Sequence, residues 1–313
     1  KFYELIENIR TTAWLVTGGL QATASPDVMM KSFPKISYII QGYSEQSLNE
    51  VASFVDDGSK IFNIPGLVGR KGSKILKGPT KKLSPDLSHL LNYDYSLFDD
   101  QVFWRPYNGN VLRAVDYEAS RGCIYSCEYC VETIIQKYYG FDETTKGGAI
   151  KGASSYVRSK TPEKIFSELR NIVATHNISL IRCQDTNFLT MGKNTLNGLA
   201  NYIDSSDLDI MLYIETRPEG INPKSIELLK RLKVDGVGMG VELSSDGFRE
   251  DKLKRFASTS KIINAFRLLK EAGIKRTSYN IIGLPEQDED SIIETILFNR
   301  ELDPDNTTVA FYS

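Results

Sequence analysis

The sequence lacks several features that mark common classes of protein. No apolar run approaches the roughly 18 residues that a membrane-spanning helix needs, and no basic-then-apolar leader opens the chain. Positive and negative side chains nearly cancel, at a formal net charge of -2, so no strong field is expected to attract nucleic acid or anionic lipid. These absences predict a cytoplasmic protein that binds neither membranes nor nucleic acid.

Cysteine and histidine are also scarce, with four cysteines and two histidines in 313 residues. A secreted disulfide scaffold would use many more cysteines and spread them along the chain. Three of the four instead fall within eight positions, at Cys123, Cys127 and Cys130. A tight group of this kind is typical of bound metal in an intracellular protein.

The composition, 41% hydrophobic and 25% charged, is that of a globular protein with a substantial core. Both ends of the chain are expected to be incomplete. The chain begins at Lys1 without a methionine and runs directly into the helical pattern FYELIENI, and it stops on the apolar strand pattern VAFYS.

Residues 1–57 alternate short strands with helices. Apolar strands at 13–19 and 36–42 are each followed by helical stretches, at 26–31 and 44–55. This order predicts a parallel sheet with covered faces, which we interpret as the second half of a Rossmann-like, doubly wound domain.

Residues 58–110 change character and are predicted to be a linker. They are rich in glycine, proline, lysine and aromatic residues. Within them, IFNIPGLVGR and GSKILKG could pair as a small hairpin.

A regular alternation of strand and helix begins at Val111. Thr161 followed by Pro162 predicts the start of one helix, and Gly273 predicts the end of another. This rhythm favours a parallel barrel or an open sheet, and in a barrel the chemistry collects at the carboxyl ends of the strands. The predicted strands are 111–117, 178–184, 210–215, 235–241, 276–282 and 307–312.

The segment ASRGCIYSCEYC places its cysteines four and three residues apart, just after the first of these strands. Three thiolates in such a loop can hold one face of a cubane iron–sulfur cluster and leave the fourth iron open to a substrate or cofactor. A structural zinc site is the alternative, but it wants four protein ligands. The candidates for a fourth are poor, because Cys183 lies in a predicted strand and His89 and His176 are distant in sequence.

With this motif, residues 111–313 resemble the radical S-adenosylmethionine superfamily. The resemblance implies a partial (β/α)6 barrel and a [4Fe–4S] cluster on Cys123, Cys127 and Cys130. It implies reductive cleavage of S-adenosylmethionine to a 5′-deoxyadenosyl radical, with a reductase such as flavodoxin or ferredoxin as electron donor. The expected substrate is a small molecule or a peptide.

Further segments resemble the family along the barrel. YVRSKTPEKIFSELRNI is similar to the segment before the second strand, and CQDTNF, YIETRPEGI, VGMGVELSSD and NIIGLPEQDEDS are similar to the ends of strands two to five. Polar groups at successive strand ends converge on one pocket. The residues that the resemblance assigns to S-adenosylmethionine are Tyr129, Asp185, Glu215, Arg217, Glu242, Ser244 and Gly283.

Several of these residues also have a plain structural interpretation. Asp185 could cap the next segment, and Arg217 and Glu215 could pair only with each other. Cys183 is expected to be a small buried strand residue. The acidic run EQDEDS is expected to be the solvated first turn of a helix, where negative charge suits the helix dipole.

Two N-terminal segments, VTGGLQATASPD and IIQGYSE, resemble the cobalamin-binding domains fused to some radical enzymes. Glycines after a strand let the backbone approach a bulky cofactor at the edge of a sheet. Gln21 stands where the family has histidine, so the alternative is a domain that kept the fold and lost the cofactor. The positions assigned to cobalamin are Gly18, Gly19, Gln21, Ala22, Thr23, Gly42, Tyr43 and Glu45.

The resemblance favours cobalamin-dependent methylation of an unactivated centre. The alternative within enzymes is hydrogen abstraction for ring formation or rearrangement, without functional cobalamin. The alternative outside enzymes is a non-catalytic iron–sulfur electron carrier. The missing fourth cysteine argues against a carrier, because a closed cluster transfers electrons without an open iron.

Overall fold

The computed structural model describes residues 12–54 and 58–312. They form two compact units, which are described separately: the first contains residues up to Ser84 together with 129–144, and the second contains 85–128 and the residues from Thr145 onward. The helix predicted at FYELIENI lies outside the described residues, as does Ser313. The predicted domain boundaries stay a prediction.

Four short strands form the sheet of the first unit. They are β1 (Val16–Thr17), β2 (Tyr38–Ile40), β3 (Leu67–Lys71) and β4 (Lys74–Lys77). Strands β1 and β2 pair in parallel, whereas β2 pairs with β3 and β3 with β4 in antiparallel orientation. The hairpin predicted from the glycine-rich segment is therefore present, as strands β3 and β4.

Helices cover this sheet. They are α1 (Leu20–Ala24), α2 (Pro26–Ser32), α3 (Glu45–Ser53) and, from the later segment, α4 (Glu132–Tyr138); Gly58–Asn63 is a 3₁₀ helix. The sheet buries one apolar cluster around Ile39 and Val68 and another around Ile40 and Leu67. Neighbouring strand residues belong to different clusters because successive side chains point to opposite faces.

A curled half-barrel sheet of seven strands forms the second unit. Its strands are β5 (Trp104–Tyr107), β6 (Asn110–Tyr117), β9 (Leu180–Cys183), β10 (Met211–Thr216), β11 (Val234–Glu242), β12 (Lys275–Ile282) and β13 (Asn306–Phe311), and a separate pair is formed by β7 (Ser120–Arg121) and β8 (Arg158–Ser159). In the order β6, β9, β10, β11, β12 and β13, each strand is parallel to its neighbour. Strand β5 pairs antiparallel with β6 at the edge of the sheet. The six predicted strands are confirmed.

Helices connect the parallel strands. They are α5 (Ala153–Tyr156), α6 (Pro162–His176), α7 (Lys193–Asp204), α8 (Pro223–Arg231), α9 (Asp246–Asp251), α10 (Thr259–Glu271) and α11 (Glu289–Leu302), with 3₁₀ turns at Tyr95–Leu97, Asp100–Phe103, Phe188–Thr190 and Pro218–Gly220. No helix in the part of the chain that the structure describes is long and apolar enough to cross a membrane.

The predicted helix ends are confirmed by their caps. The Thr161 hydroxyl accepts a hydrogen bond from the backbone N–H of Lys164 at 3.3 Å, and Gly273 follows α10 with a φ of 72°. At the acidic run, the Asp288 carboxylate caps α11 by accepting from Ser291 N at 2.9 Å. The acidic residues therefore lie at the start of a helix, as the sequence predicts.

The two faces of β11 carry different side chains. Val237 and Met239 are fully buried in the core with the helices. Gly238 lies between these two residues and therefore points to the opposite face of the sheet. A Cβ atom there would lie 2.6 Å from the hydroxyl oxygens of both Tyr213 and Tyr279. Glycine on this face therefore leaves room for the phenol groups of the neighbouring strands.

We expect Gly238→Ala to lower the free energy of unfolding by about 1–3 kcal/mol, because the added methyl group would force the two tyrosines apart. Urea denaturation of the purified apoprotein measures the change. Gly247→Ala is the control, since a Cβ in that part of α9 meets nothing within 4 Å and alanine favours a helix. Equal losses in both variants would contradict the packing argument.

Candidate cofactor site

The loop after β7 carries Cys123 and Cys127 in the second unit. Both thiols are buried, and neither forms a disulfide. Backbone hydrogen bonds fix the loop at three points: Ile150 N to Ile124 O at 2.8 Å, Ser126 N to Gly148 O at 2.9 Å and Glu128 N to Leu253 O at 3.0 Å. The loop is thus held by surrounding segments, since it has little regular structure of its own.

Asp185 fixes the segment that leads into this loop. Its carboxylate is fully buried and accepts hydrogen bonds from the N–H and the hydroxyl of Ser120, both at 2.5 Å, and from Ala119 N at 3.5 Å. Burial raises its pKa from 3.8 to about 6. These bonds reach back to the strand before Cys123, and not forward to the segment that Asp185 could have capped.

A buried ion pair supports the same segment. Lys160 Nζ lies 2.6 Å from Glu168 Oε2, which also accepts a hydrogen bond from the Tyr117 hydroxyl at 2.6 Å. The backbone N–H of Lys160 donates to Ala119 O at 3.0 Å. Lys164 Nζ also lies 3.3 Å from the Glu168 carboxylate. Removal of the Glu168 charge would leave Lys160 buried without a carboxylate, which is strongly destabilising.

Arg217, just after β10, contacts one of the two cysteines. Its Nη1 donates a hydrogen bond to Cys127 Sγ at 3.2 Å, while Nη2 and Nε donate to the Glu219 carboxylate at 2.5 and 3.1 Å. The guanidinium carbon lies 3.7 Å from the centre of the Tyr125 ring. Burial acts to raise the pKa of Glu219, but the hydrogen bond and the charge of Arg217 hold that pKa below its usual value.

Glu215 pairs with Tyr279 and not with Arg217, the partner considered from the sequence. Its carboxylate accepts a hydrogen bond from the Tyr279 hydroxyl at 3.0 Å, and that hydroxyl lies 2.7 Å from the hydroxyl of Tyr213. Burial raises the pKa of Glu215. Glu215 and Arg217 therefore belong to separate networks, one of phenols and one around Cys127.

The end of β11 presents Glu242 and Ser244. Glu242 is 5% exposed and adopts a φ of 66°, a conformation that costs energy for a residue with a side chain. Its carboxylate lies 3.5 Å from Arg255 Nη1. The Ser244 hydroxyl is buried and has no hydrogen-bond partner among the described residues. A buried hydroxyl without a protein partner can hydrogen-bond a ligand or water.

Gly283 follows the end of β12 and is exposed. It has a φ of 79°, and a Cβ there would meet nothing within 4 Å. Its backbone N–H donates to Gln287 Oε1 at 2.8 Å. This predicted residue therefore has free space beside it.

In the first unit, Thr23 joins the two segments that resemble cobalamin-binding loops. Its hydroxyl donates to Gly19 O at 2.8 Å and accepts from Gly42 N at 2.9 Å, and Gln41 Nε2 donates to Thr23 O at 3.0 Å. Gly19 has a φ of 93° and open space where a Cβ would lie. Among the remaining positions, Gly18, Gln21 and Glu45 are exposed, Tyr43 is half-buried and Ala22 is buried.

Aromatic side chains fill the space beside the Cα atom of Gly42. A Cβ there would lie 2.4 Å from the Tyr139 hydroxyl oxygen. That hydroxyl accepts a hydrogen bond from Tyr43 N at 3.0 Å, and the two rings stack at 5.7 Å. Tyrosine packing therefore explains this glycine without a cofactor.

Tyr129 and Cys130 begin the segment that brings α4 and Tyr139 to the first unit. Both are half-buried. The Cys130 carbonyl oxygen accepts hydrogen bonds from the N–H and the hydroxyl of Thr133, at 3.1 and 2.8 Å, where α4 starts.

Cys183, the remaining cysteine, ends β9 inside the hydrophobic core and is 3% exposed. Burial raises the pKa of its thiol. The structural interpretation of this residue is confirmed. Among the described residues, no three histidine, cysteine, aspartate or glutamate side chains converge as the ligands of a single metal ion do.

Residues 117–298, more than half of the chain, match the sequence model of the Radical SAM superfamily. The chain belongs to this superfamily. This radical SAM protein is 22% identical, over 302 residues and 96% of its length, to an uncharacterized methyltransferase from Pyrococcus horikoshii, of which it covers 61%. It is also 22% identical, over 305 residues and 95% of its length, to the anaerobic magnesium-protoporphyrin IX monomethyl ester cyclase of Rubrivivax gelatinosus, of which it covers 51%.

A solved structure shares the fold. The radical SAM protein matches the radical S-adenosylmethionine methyltransferase TsrM from Kitasatospora setae, solved with cobalamin and a [4Fe–4S] cluster bound, with a TM-score of 0.75 and 18% identity. The match covers 99% of this chain and 59% of that one. The chain therefore spans about half to three fifths of the length of the proteins it resembles.

Sequence reasoning missed Tyr125, Glu219 and Tyr139. Tyr125 lies between the first two cysteines, and Glu219 lies two residues after Arg217, so both stand inside motifs already noted. The contact between Tyr139 and Tyr43 joins residues 96 apart, and no local pattern signals it.

Asp185 should make stability depend on pH. Because its folded-state pKa is raised from 3.8 to about 6, the folded protein binds more protons than the unfolded chain between these values. The free energy of unfolding should therefore fall by about 2–3 kcal/mol as pH rises from about 4 to 6, and then level off. Urea denaturation of wild type and Asp185→Asn across this range isolates the effect. If the two curves stay parallel, Asp185 does not titrate in this way.

Proposed function

We propose that this chain is the radical-generating part of an enzyme that holds a [4Fe–4S] cluster on Cys123, Cys127 and Cys130 and reductively cleaves S-adenosylmethionine to a 5′-deoxyadenosyl radical. The observation that carries the proposal is the family match over residues 117–298, which contains all three cysteines. A reductase such as flavodoxin or ferredoxin is the proposed electron donor, and the cytoplasm is the proposed location.

The residues around the loop suit an iron–sulfur cluster. A cubane binds each thiolate at a separate iron, so it does not need the convergence on one point that a single zinc ion needs. The buried guanidinium of Arg217, 3.2 Å from Cys127 Sγ, offers positive charge to a thiolate ligand. When bound, the cluster supplies the electron that breaks the carbon–sulfur bond of S-adenosylmethionine.

Residues at the strand ends would bind and orient S-adenosylmethionine. The unpartnered Ser244 hydroxyl and the strained Glu242 support a polar ligand at the end of β11. The open space at Gly283 supports close approach to the backbone there. Tyr129 is proposed to lie beside the adenine, and Asp185 to hold the cysteine loop in register.

We further propose that the first unit is a Rossmann-like domain that binds cobalamin through the Gly18–Thr23 loop, for methylation of an unactivated centre. The exposed turn at Gly19, with its positive φ and open Cβ position, supports the use of this loop as a binding site. Gln21 can hydrogen-bond a corrinoid tail but offers no imidazole for ligation. The substrate would be a small molecule or a peptide.

The second candidate is a hydrogen-abstraction enzyme without functional cobalamin, for ring formation or rearrangement. The filling of the Gly42 position by Tyr139 favours it, because that part of the predicted cofactor contact is occupied by protein. The ultraviolet–visible spectrum of protein purified anaerobically from cobalamin-fed cells separates the two candidates. Corrinoid absorbance supports methylation, and its absence beside a loaded cluster supports hydrogen abstraction.

Cys123→Ala, Cys127→Ala and Cys130→Ala should each abolish cleavage of S-adenosylmethionine, because loss of one thiolate leaves a second iron without a protein ligand. Iron analysis and quantification of 5′-deoxyadenosine after anaerobic reconstitution provide the measurements. Cys183→Ala is the matched control, and it should retain both iron and cleavage. Full iron content and cleavage in the triple variant would refute the proposed function.

Gly19→Phe should expel cobalamin while the cluster stays loaded, since the ring would occupy the space beside the turn. Corrinoid and iron content are measured together after purification from cobalamin-fed cells. Gly72→Phe is the control, because Gly72 in the β3–β4 turn also has a positive φ, of 61°, and an open Cβ position. Equal loss of corrinoid in both variants would show a general effect of backbone strain.

A further inference from the structure

We propose that Arg217 is a positioning residue that tunes the iron–sulfur cluster through Cys127, a role that rests on the proposed cluster. Family resemblance assigns this arginine to S-adenosylmethionine. Its contacts point instead to a cysteine of the motif, since Nη1 donates to Cys127 Sγ at 3.2 Å. Both residues belong to the second unit, and both side chains are almost fully buried.

Glu219 and Tyr125 hold the guanidinium group in place. Glu219 accepts from Nη2 at 2.5 Å and from Nε at 3.1 Å, which fixes the plane of the group. Tyr125 covers one face, with its ring centre 3.7 Å from the guanidinium carbon. Because the guanidinium group is planar and rigid, fixing Nη2 and Nε on Glu219 also fixes the direction of Nη1 toward the sulfur. The bond to Cys127 therefore costs little additional side-chain entropy.

A purely structural arginine would not need this arrangement. Glu219 alone could pair with the guanidinium, and a buried pair of this kind adds little net stability after desolvation. The donation to Cys127 adds a charge-assisted contact to the sulfur of a proposed iron ligand. Hydrogen bonds to ligand sulfurs are among the levers by which a protein sets the potential of an iron–sulfur cluster.

The direction of the effect follows from charge. Reduction adds one electron to the cluster, so a positive charge and an N–H donor at a ligand sulfur stabilise the reduced form more than the oxidised form. The interaction is strengthened because Arg217 is only 7% exposed and little water screens it. Arg217 should therefore raise the reduction potential and make the cluster easier to reduce.

The test compares anaerobically reconstituted wild type with Arg217→Met, Arg217→Lys and Glu219→Gln. The measurements are iron and sulfide content, the midpoint potential from an electron-paramagnetic-resonance titration, and the dissociation constant of S-adenosylmethionine for the oxidised protein. Arg182→Met is the control, because Arg182 is a half-buried cation of the same sheet whose ion pair is with Asp116.

Arg217→Met should load iron and bind S-adenosylmethionine nearly as wild type does. Its preference for the reduced cluster should fall about tenfold, which for one electron corresponds to a potential lower by about 59 mV. Arg217→Lys should shift the potential in the same direction by less, because it keeps the charge. Glu219→Gln keeps the cation and removes a negative charge beside it, so the same argument from charge predicts a higher potential. Arg182→Met should not shift it.

An unchanged potential in all three variants would overturn the proposal. So would a loss of S-adenosylmethionine affinity of tenfold or more at an unchanged potential, which would restore the assignment made by resemblance. If Arg217→Met fails to load a cluster, the potentials of Arg217→Lys and Glu219→Gln decide. Wild type that takes up no iron would instead reject the proposed function, a result that is distinct from either outcome.

Discussion

The hydrogen bonds that Asp185 accepts from Ala119 and Ser120 are the constraint on which the candidate site depends. The cysteine loop has little regular structure, so its geometry comes from the segments that hold it. A fully buried carboxylate fixes the strand that enters the loop. The backbone N–H of Lys160, whose side chain pairs with Glu168, also donates to Ala119 O. The hydrogen bonds that the Asp185 carboxylate accepts are strengthened by the low dielectric around them.

Much of the second unit could be predicted because its signals are local. Alternating apolar strands and helices predicted the positions of all six parallel strands, and Thr161 and Gly273 predicted helix ends through capping chemistry that acts within four residues. The acidic run EQDEDS predicted the first turn of a helix, and the structure adds that Asp288 caps it. The partners of the site residues could not be predicted in this way. In a continuous strand Glu215 and Arg217 would share a face, because successive side chains point to opposite faces. Whether Arg217 pairs with Glu215 or with Glu219 therefore depends on the turn at Pro218–Gly220.

The first unit was harder to predict for a physical reason. Its strands β1 and β2 are two and three residues long, and α1 has only five residues, so each carries too little periodic pattern to define its bounds. Its packing also depends on residues far along the chain. The glycine at position 42 resembled part of a cofactor loop, whereas the structure shows the Tyr139 side chain in contact with it.

The division of the first unit between two stretches of chain has a consequence for the order of synthesis. Residues up to Ser84 emerge from the ribosome first, but α4 and Tyr139 belong to the same unit and follow only after the cysteine loop. The Gly42 turn therefore lacks its tyrosine partner until most of the first half of the chain has been made. A fragment that ends at Ser84 would lack this contact for the same reason, and no single cleavage separates the residues of the first unit from those of the second.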